Sequence, residues 1–324
     1  MHGQVYSCLF FGGAALKISS LVLAAAFVLH CATALAQQQP SPPPDLGLHE
    51  IADADLDRYI AKSNGVVGLL NASLRGKDSW ARYLSWVDVK RGPTGKERII
   101  YGLYSVGSSA KRDIETARKT AGDKPAIPAL DEAAKQLAST FEALIPILNE
   151  AEAYYDRKDY LADNMAGGKA LHDKLVPAAM AFLAARATTE ALQNQLKDAL
   201  DRAELAKIEK AEGKSVRWHV RNTMVLAKRA VELMPSSPKG GADLPQFDAT
   251  LAAFGSAVRD FDTAIRESGK STSIDSYPRD ILGKLREMRD SIGKGRADNM
   301  SYSMDYNSVI QQYNMMVTMS NAFR

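Results

Sequence analysis

Cysteine is almost absent from this chain of 324 residues, which contains two, Cys8 and Cys31. Both lie within the first 36 residues, a segment with the pattern of a cleaved export signal. The chain that remains carries no thiol, so it forms no disulfide and offers no cysteine as a nucleophile or metal ligand. Burial of apolar surface therefore has to stabilise the fold, and a chain of this length is ample for that.

The sequence also lacks a marked excess of either charge. It contains 41 Lys and Arg residues against 38 Asp and Glu residues, and the first 36 residues hold one of the lysines and no acid. The rest of the chain therefore has a net charge near +2. Proteins dedicated to nucleic acids usually show a strong basic excess, so a nucleic-acid partner is not expected.

The amino-terminal segment predicts secretion. Lys17 precedes an apolar run, Ile18–Leu29, and the segment closes with the small residues Ala34 and Ala36 around Leu35. This order is typical of a signal peptide, 1–36, and the run is short for a membrane span. We expect a periplasmic or secreted chain that begins after Ala36 and has no transmembrane helix. The alternative is an outer-membrane lipoprotein anchored at Cys31, which the preceding bulky histidine disfavours.

Beyond the signal, the sequence predicts a short tether and one helical domain. Residues 37–50 are rich in Gln and Pro and are predicted to be disordered. From residue 51 to residue 324, apolar residues recur at spacings of three and four, and strict alternation is nearly absent. We predict an all-α fold, an elongated multi-helix bundle with long kinked central helices. Pro146 is expected to bend a helix without ending it.

The longest helical tract runs from about Gly168 to Met234, with interruptions at Pro177 and Gly213. If this helix continues through Gly213, six basic residues share one face: Lys207, Lys210, Lys214, Arg217, Arg221 and Lys228. Such a face suits an anionic partner, and Arg217 and Arg221 are the candidate binding residues. The alternative, which the neighbouring acidic residues favour, is an ordinary solvated helix face.

The densest group of functional side chains lies near the start of that tract: Tyr154, Tyr155, Asp159, Tyr160, Asp163, Lys169 and His172. Asp159, Asp163 and His172 could supply oxygen and nitrogen ligands to a divalent metal. No recognised ligand spacing is complete, so a structural corner between two helices is favoured. We assign no metal, no cofactor and no catalytic residue.

The last helix is rich in methionine. Met300, Met304, Met315 and Met319 fall on one side, and Tyr302, Tyr306 and Tyr313 fall on the other. Thioethers select soft ions such as copper(I), but methionine is also a common filler of cores. A helix that is apolar on several sides is usually enclosed by its neighbours, so we expect the methionines to be buried.

Three groups of motifs together resemble one known family. They are Gly92-Pro93-Thr94-Gly95-Lys96-Glu97 leading to Tyr101-Gly102-Leu103-Tyr104; Tyr154-Tyr155-x-x-Lys158-Asp159-Tyr160-x-x-Asp163 followed by Gly168-Lys169-x-Leu171-His172; and Tyr306-Asn307-x-x-Ile310-x-x-Tyr313-Asn314. In this order they resemble the YiiG-like family of exported bacterial proteins, a domain of unknown function. The resemblance implies a helical, exported and often lipid-anchored protein, with no established activity.

The sequence therefore favours a non-enzymatic binding or structural protein of the cell envelope. Its expected partner is an envelope protein or another envelope component, bound through one face of the bundle. The alternative is a metal- or small-ligand-binding protein, or an enzyme, that uses the corner at Asp159, Asp163 and His172.

Overall fold

The computed structural model describes residues 44–235, 237–238, 244–269, 273–295 and 298–320. These residues contain no strand, and the prediction of an all-α fold is confirmed. The predicted signal peptide, Cys31 and the first part of the predicted tether lie outside the described residues. The helices are α1 Leu56–Ala72, α2 Leu74–Leu84, α3 Ser109–Gly122, α4 Pro128–Asp156, α5 Ala166–Glu212, α6 Val216–Leu233, α7 Leu244–Ser268, α8 Tyr277–Gly293 and α9 Asn299–Ser320.

The helices α1–α5 enclose a first hydrophobic cluster, which we call the amino-terminal cluster. The long pair α4 and α5 forms its centre, where the rings of Phe141 and Phe182 lie 5.4 Å apart between centroids. Pro146 lies inside α4, which continues beyond it as the apolar spacing predicts. By length and composition alone α5 could also cross a membrane. Its apolar residues Leu175 and Ala179 are buried in the cluster, as in the core helix of a folded domain.

The second part of the predicted tether packs on α5. The backbone N–H of Leu46 donates to Oε1 of Gln195 at 2.9 Å, and Nη2 of Arg202 donates to the carbonyl of Leu48 at 3.2 Å. Leu46 and Leu48 are partly buried against the amino-terminal cluster. Residues 44–50 are thus an extended segment held along α5 by its side chains.

The chain reverses between α5 and α6, so the helix does not continue through Gly213, which was the condition for the shared basic face. Gly213 has φ +66° and ψ −160°, a conformation that is essentially restricted to glycine. Two residues later the Ser215 hydroxyl accepts the Trp218 N–H and caps α6. The ion pairs Arg221–Asp201 and Arg229–Asp198 show that α6 returns antiparallel along α5. The six basic residues therefore do not form a continuous stripe.

The turn at Gly213 supports a direct prediction. We expect Gly213→Ala to lower the free energy of unfolding by about 1–3 kcal/mol, because an L-residue is strained in this conformation. A Cβ at this position meets no atom within 4 Å, so the loss comes from the backbone alone. Urea denaturation measures it.

Gly68 is the matched control. It is an exposed glycine inside α1, and a Cβ there also meets nothing within 4 Å. Gly68→Ala should stabilise the protein by about 0.5–1 kcal/mol, because alanine is the better helix former. A Gly213→Ala protein as stable as the wild type would contradict the strain argument.

The helices α6–α9 enclose a second hydrophobic cluster, the carboxy-terminal cluster. Phe247, Phe254 and Phe261 line one face of α7 at seven-residue spacing, and each is almost fully buried. Tyr302 of α9 donates its hydroxyl to the carbonyl of Pro235 at 2.7 Å. Both clusters belong to one compact unit.

The helix α9 is not enclosed, and the prediction of buried methionines is wrong for this helix. The residues facing the cluster recur at spacings of three and four: Tyr302, Tyr306, Val309, Tyr313, Met316 and Ser320. The opposite face exposes the four methionines of the sequence pattern, whose exposed fractions are 76% for Met300, 64% for Met304, 45% for Met315 and 38% for Met319. The tyrosines, which have more apolar surface to bury, occupy the buried face.

Candidate functional site

A cleft of about 420 Å³ lies where α1, α5, α6 and α9 meet. We call it the four-helix cleft. Its volume falls in the range of roughly 300–1,000 Å³ that is common for small-molecule sites. The reversal at Gly213 creates it, because the returning α6 places its side chains opposite those of α5. Residues Lys197, Asp201, Glu204 and Ile208 lie at helical spacing on one face of α5, and Arg217, Arg221, Met224 and Lys228 do so on α6.

Four cationic and two acidic side chains line the four-helix cleft: Lys197, Arg217, Arg221, Lys228, Asp201 and Glu204. Both carboxylates are engaged by one guanidinium. Nη2 of Arg221 lies 2.6 Å from Oδ1 of Asp201 and 2.7 Å from Oε2 of Glu204. Asp201 is buried, so solvent and salt weaken the attraction between Arg221 and Asp201 less than they weaken that of a surface pair.

The other arginine and one lysine are paired at the margin of the cleft. Arg217 lies 2.8 Å from Glu212, and Lys228 lies 3.1 Å from Glu232. Neither acidic partner lines the cleft. Together with Asp201 and Glu204, these partners balance the four cations of the cleft, so the site is distinguished by which cationic groups lack a contact and not by net charge.

Lys197 has no ion pair within 4.0 Å in the part of the chain that the structure describes, although its side chain is half-buried. Burial lowers the pKa of its ammonium, and the nearby charge of Lys228 lowers it further. Nε of Arg221 is also buried and has no hydrogen-bond partner among the described residues. The cleft thus holds two cationic donors that protein acceptors leave unsatisfied, and an anion could satisfy both.

The rest of the cleft is uncharged. The helix α1 contributes Ile60, Ser63 and Asn64, and α9 contributes Tyr313, Val317 and Ser320. Burial raises the pKa of Tyr313 to about 12, so at neutral pH its hydroxyl keeps its proton and can donate a hydrogen bond. Valine side chains of α6, Val220 and Val225, complete this wall.

The predicted corner between α4 and α5 is a closed structural turn. A one-turn 3₁₀ helix, Asp159–Leu161, connects the two helices. Asp163 caps α5: its Oδ2 accepts the Gly167 N–H at 2.9 Å, and its Oδ1 accepts the Tyr154 hydroxyl at 2.9 Å. Desolvation opposes the charged form of Asp163, but these hydrogen bonds hold the pKa of its carboxyl below the ordinary value.

His172 is turned into the protein. Its Nε2 lies 3.2 Å from the carbonyl oxygen of Val89, which can only accept, so Nε2 carries the proton. Its Nδ1 then accepts the hydroxyl proton of Tyr83 at 2.9 Å. Both ring nitrogens are therefore occupied by hydrogen bonds within the protein.

The three candidate metal ligands of the corner consequently do not converge. Asp159 pairs with Arg157 at 2.6 Å, Asp163 caps a helix, and His172 is held by two other partners. Within the described ranges no group of three His, Cys, Asp or Glu residues is placed to hold a metal ion. The geometry does not support the alternative of a metal site at Asp159, Asp163 and His172.

The aromatic residues of the corner pack against one another. Tyr155 contacts Tyr154 and Trp86 edge-on, with centroid distances of 5.0 Å in both pairs, and its ring lies 6.2 Å from that of Tyr160. Burial raises the pKa of Tyr155. Lys169 is exposed beside this cluster. Of the residues predicted to bind, only Arg217 and Arg221 line the four-helix cleft.

Sequence reasoning missed Lys197 as a site residue. Lys197 lies in the cleft because α6 folds back against α5. In one continuous helix, the residues of α6 would lie far from Lys197. The available signal was the combination of Gly213 with Ser215, a helix-ending residue followed by a helix-capping one.

Comparisons with known proteins identify one family and one curated relative. A family model described as Protein of unknown function (DUF3829) matches residues 56–322. Among curated proteins, Uncharacterized protein YiiG of Escherichia coli (strain K12) is 27% identical over 314 residues, covering 90% of this chain and 85% of the relative. No solved structure matches the chain with significant similarity.

Proposed function

The chain belongs to the DUF3829 family of proteins of unknown function, as its YiiG-like motifs indicate, and from this premise we propose that it is an exported protein that binds a small anionic ligand in the four-helix cleft. The observation that supports this most directly is the half-buried ammonium of Lys197, which has no ion pair among the described residues, in the same cleft as the unsatisfied Nε of Arg221. A bound anion would neutralise the first and accept a hydrogen bond from the second.

The two carboxylates of this site are not free for acid–base catalysis. A general acid or base has to be free to exchange a proton with a substrate, and both carboxylates of the cleft are tied to Arg221. We propose that the envelope component expected as a partner from the sequence carries this anionic group.

The ligand proposal predicts a charge-specific effect at Lys197. We expect Lys197→Met to weaken the binding of inorganic phosphate or succinate about tenfold or more, because a hydrogen bond to a charged group is lost. Isothermal titration calorimetry of the purified protein at low ionic strength measures the affinity, since salt screens the attraction.

Lys207→Met is the matched control, because Lys207 is an exposed lysine of the same helix that does not line the cleft. It removes the same charge and should leave the affinity within about twofold of the wild type. Equal losses in both variants would point to a general effect of net charge and would overturn the proposed site.

The export proposal rests on the amino-terminal pattern of Lys17, the apolar run 18–29 and the Ala34-Leu35-Ala36 ending. Cell fractionation followed by amino-terminal sequencing tests it, with Gln37 as the expected first residue of the periplasmic or secreted form. A lipid-modified chain beginning at Cys31 would favour the outer-membrane lipoprotein alternative. Retention of residue 1 in the cytoplasm would contradict export.

A further inference from the structure

The charged lining of the four-helix cleft is confined to two of its helices. The cations and carboxylates are all supplied by α5 and α6, whereas α1 and α9 supply uncharged residues only. A ligand that enters therefore meets cationic donors on α5 and α6 and uncharged residues on all four helices.

The uncharged wall contains apolar side chains that the protein does not fully cover. Ile60, Val220 and Val317 each line the cleft and are half-buried. Water in contact with such side chains is released when an apolar ligand group covers them, which favours binding. An inorganic ion without an apolar group would leave these side chains in contact with water.

The volume of the cleft also favours a ligand that carries an apolar group in addition to its anionic group. A volume of about 420 Å³ exceeds what a single carboxylate or phosphate group needs, and drug-sized ligands fill sites of this order. Because Asp201 and Glu204 are already paired with Arg221, the described lining offers no free carboxylate to attract a second, cationic group on the ligand.

We propose that the ligand is a single-chain amphiphilic anion, a carboxylate or phosphate joined to an aliphatic chain. Its head group contacts Lys197 and Nε of Arg221, and its chain lies against Ile60, Val220 and Val317. This inference rests on the proposed anion site and adds the chemical class of the ligand.

Four probes below their micellar concentrations test the two parts separately: octanoate, octyl phosphate, acetate and octylamine. We expect both octyl anions to bind at least about tenfold more tightly than acetate, because the chain covers apolar surface. Octylamine should bind more weakly than either anion, because its ammonium is repelled by Lys197. The ratio of octanoate to octyl phosphate affinity identifies the preferred head group.

The apolar wall is tested with changes from valine to threonine, which nearly keep the shape of the side chain and add one hydroxyl. The double variant Val220→Thr/Val317→Thr should lose about tenfold in octanoate affinity while its acetate affinity stays the same. Leu226→Thr is the control, since Leu226 is half-buried on the same helix outside the cleft. Thermal melting monitored by circular dichroism verifies that each variant is folded.

The outcomes separate the two proposals. Octanoate and acetate affinities that are equal, and equally reduced by Lys197→Met, would overturn the amphiphile and leave the anion site intact. Octylamine binding as tightly as octanoate, with no effect of Lys197→Met, would overturn the anion site itself. Failure of all four probes to bind would overturn the amphiphile proposal.

Discussion

Asp131→Asn should lower the free energy of unfolding by about 3–5 kcal/mol, because it leaves a buried ammonium without its counterion. Oδ1 of Asp131 lies 2.5 Å from Nζ of Lys62, whose side chain is 1% exposed. Asparagine can still accept the Ile127 N–H that Oδ2 of Asp131 accepts at 2.9 Å, so the cap of α4 is kept. Urea denaturation followed by circular dichroism measures the loss.

Two further variants isolate the electrostatic part. Glu142→Gln breaks the pair Arg118–Glu142, which is as close, at 2.6 Å, but exposed, and it should cost much less. Replacing both partners, as in Lys62→Met/Asp131→Leu, should recover part of the loss because no charge is left buried. A loss for Asp131→Asn no larger than that for Glu142→Gln would contradict the argument.

Phe254→Ala is expected to destabilise the carboxy-terminal cluster by about 3–5 kcal/mol, the usual loss for a fully buried aromatic ring. Phe254 is 0% exposed at the centre of α7. The two clusters are separate sets of buried residues, so local opening of α6–α9 should require less free energy than global unfolding. Hydrogen exchange measured by mass spectrometry should show faster exchange in α6–α9 and unchanged exchange in α3 and α4.

Phe141→Ala is the mirror variant. Phe141 is also 0% exposed, but it lies in the amino-terminal cluster. Faster exchange should then appear in α1–α5. Faster exchange throughout the molecule in both variants would show that the two clusters open as one cooperative unit.

The helical architecture follows from local patterns that a sequence displays directly. Apolar spacing of three and four residues predicts α4 through Pro146, because the periodicity resumes beyond the proline and tertiary packing compensates for the missing hydrogen bond. The seven-residue spacing of Phe247, Phe254 and Phe261 likewise predicts one buried face of α7.

The four-helix cleft could not be predicted in this way because it depends on contacts between distant elements. If α5 and α6 formed one helix, Arg221 and Lys228 would lie on a solvent-exposed face and would contact only residues of their own helix. The structure instead places Arg221 against Asp201, twenty positions earlier in the chain. The spacing of residues along a helix shows which of them share a face. It does not show which residues of another helix pack against that face.

The helix α9 shows a second limit of periodicity. Methionine and tyrosine are both partly apolar, and both sides of this helix carry them. The spacing therefore identifies two candidate faces without ranking them. The choice depends on the surface that α6 and α8, the helices packed against α9, present to it.

The methionines left on the outer side of α9 have a chemical consequence. Thioethers that face solvent are the first to react with peroxide or hypochlorite, and each takes up one oxygen atom to become a polar sulfoxide. Met300 and Met304 contribute nothing to the interior, so their oxidation alters the outside of the helix and leaves the fold undisturbed. The buried sulfur atoms of Met288 and Met316 should react much more slowly, because the oxidant cannot reach them without local opening of the fold.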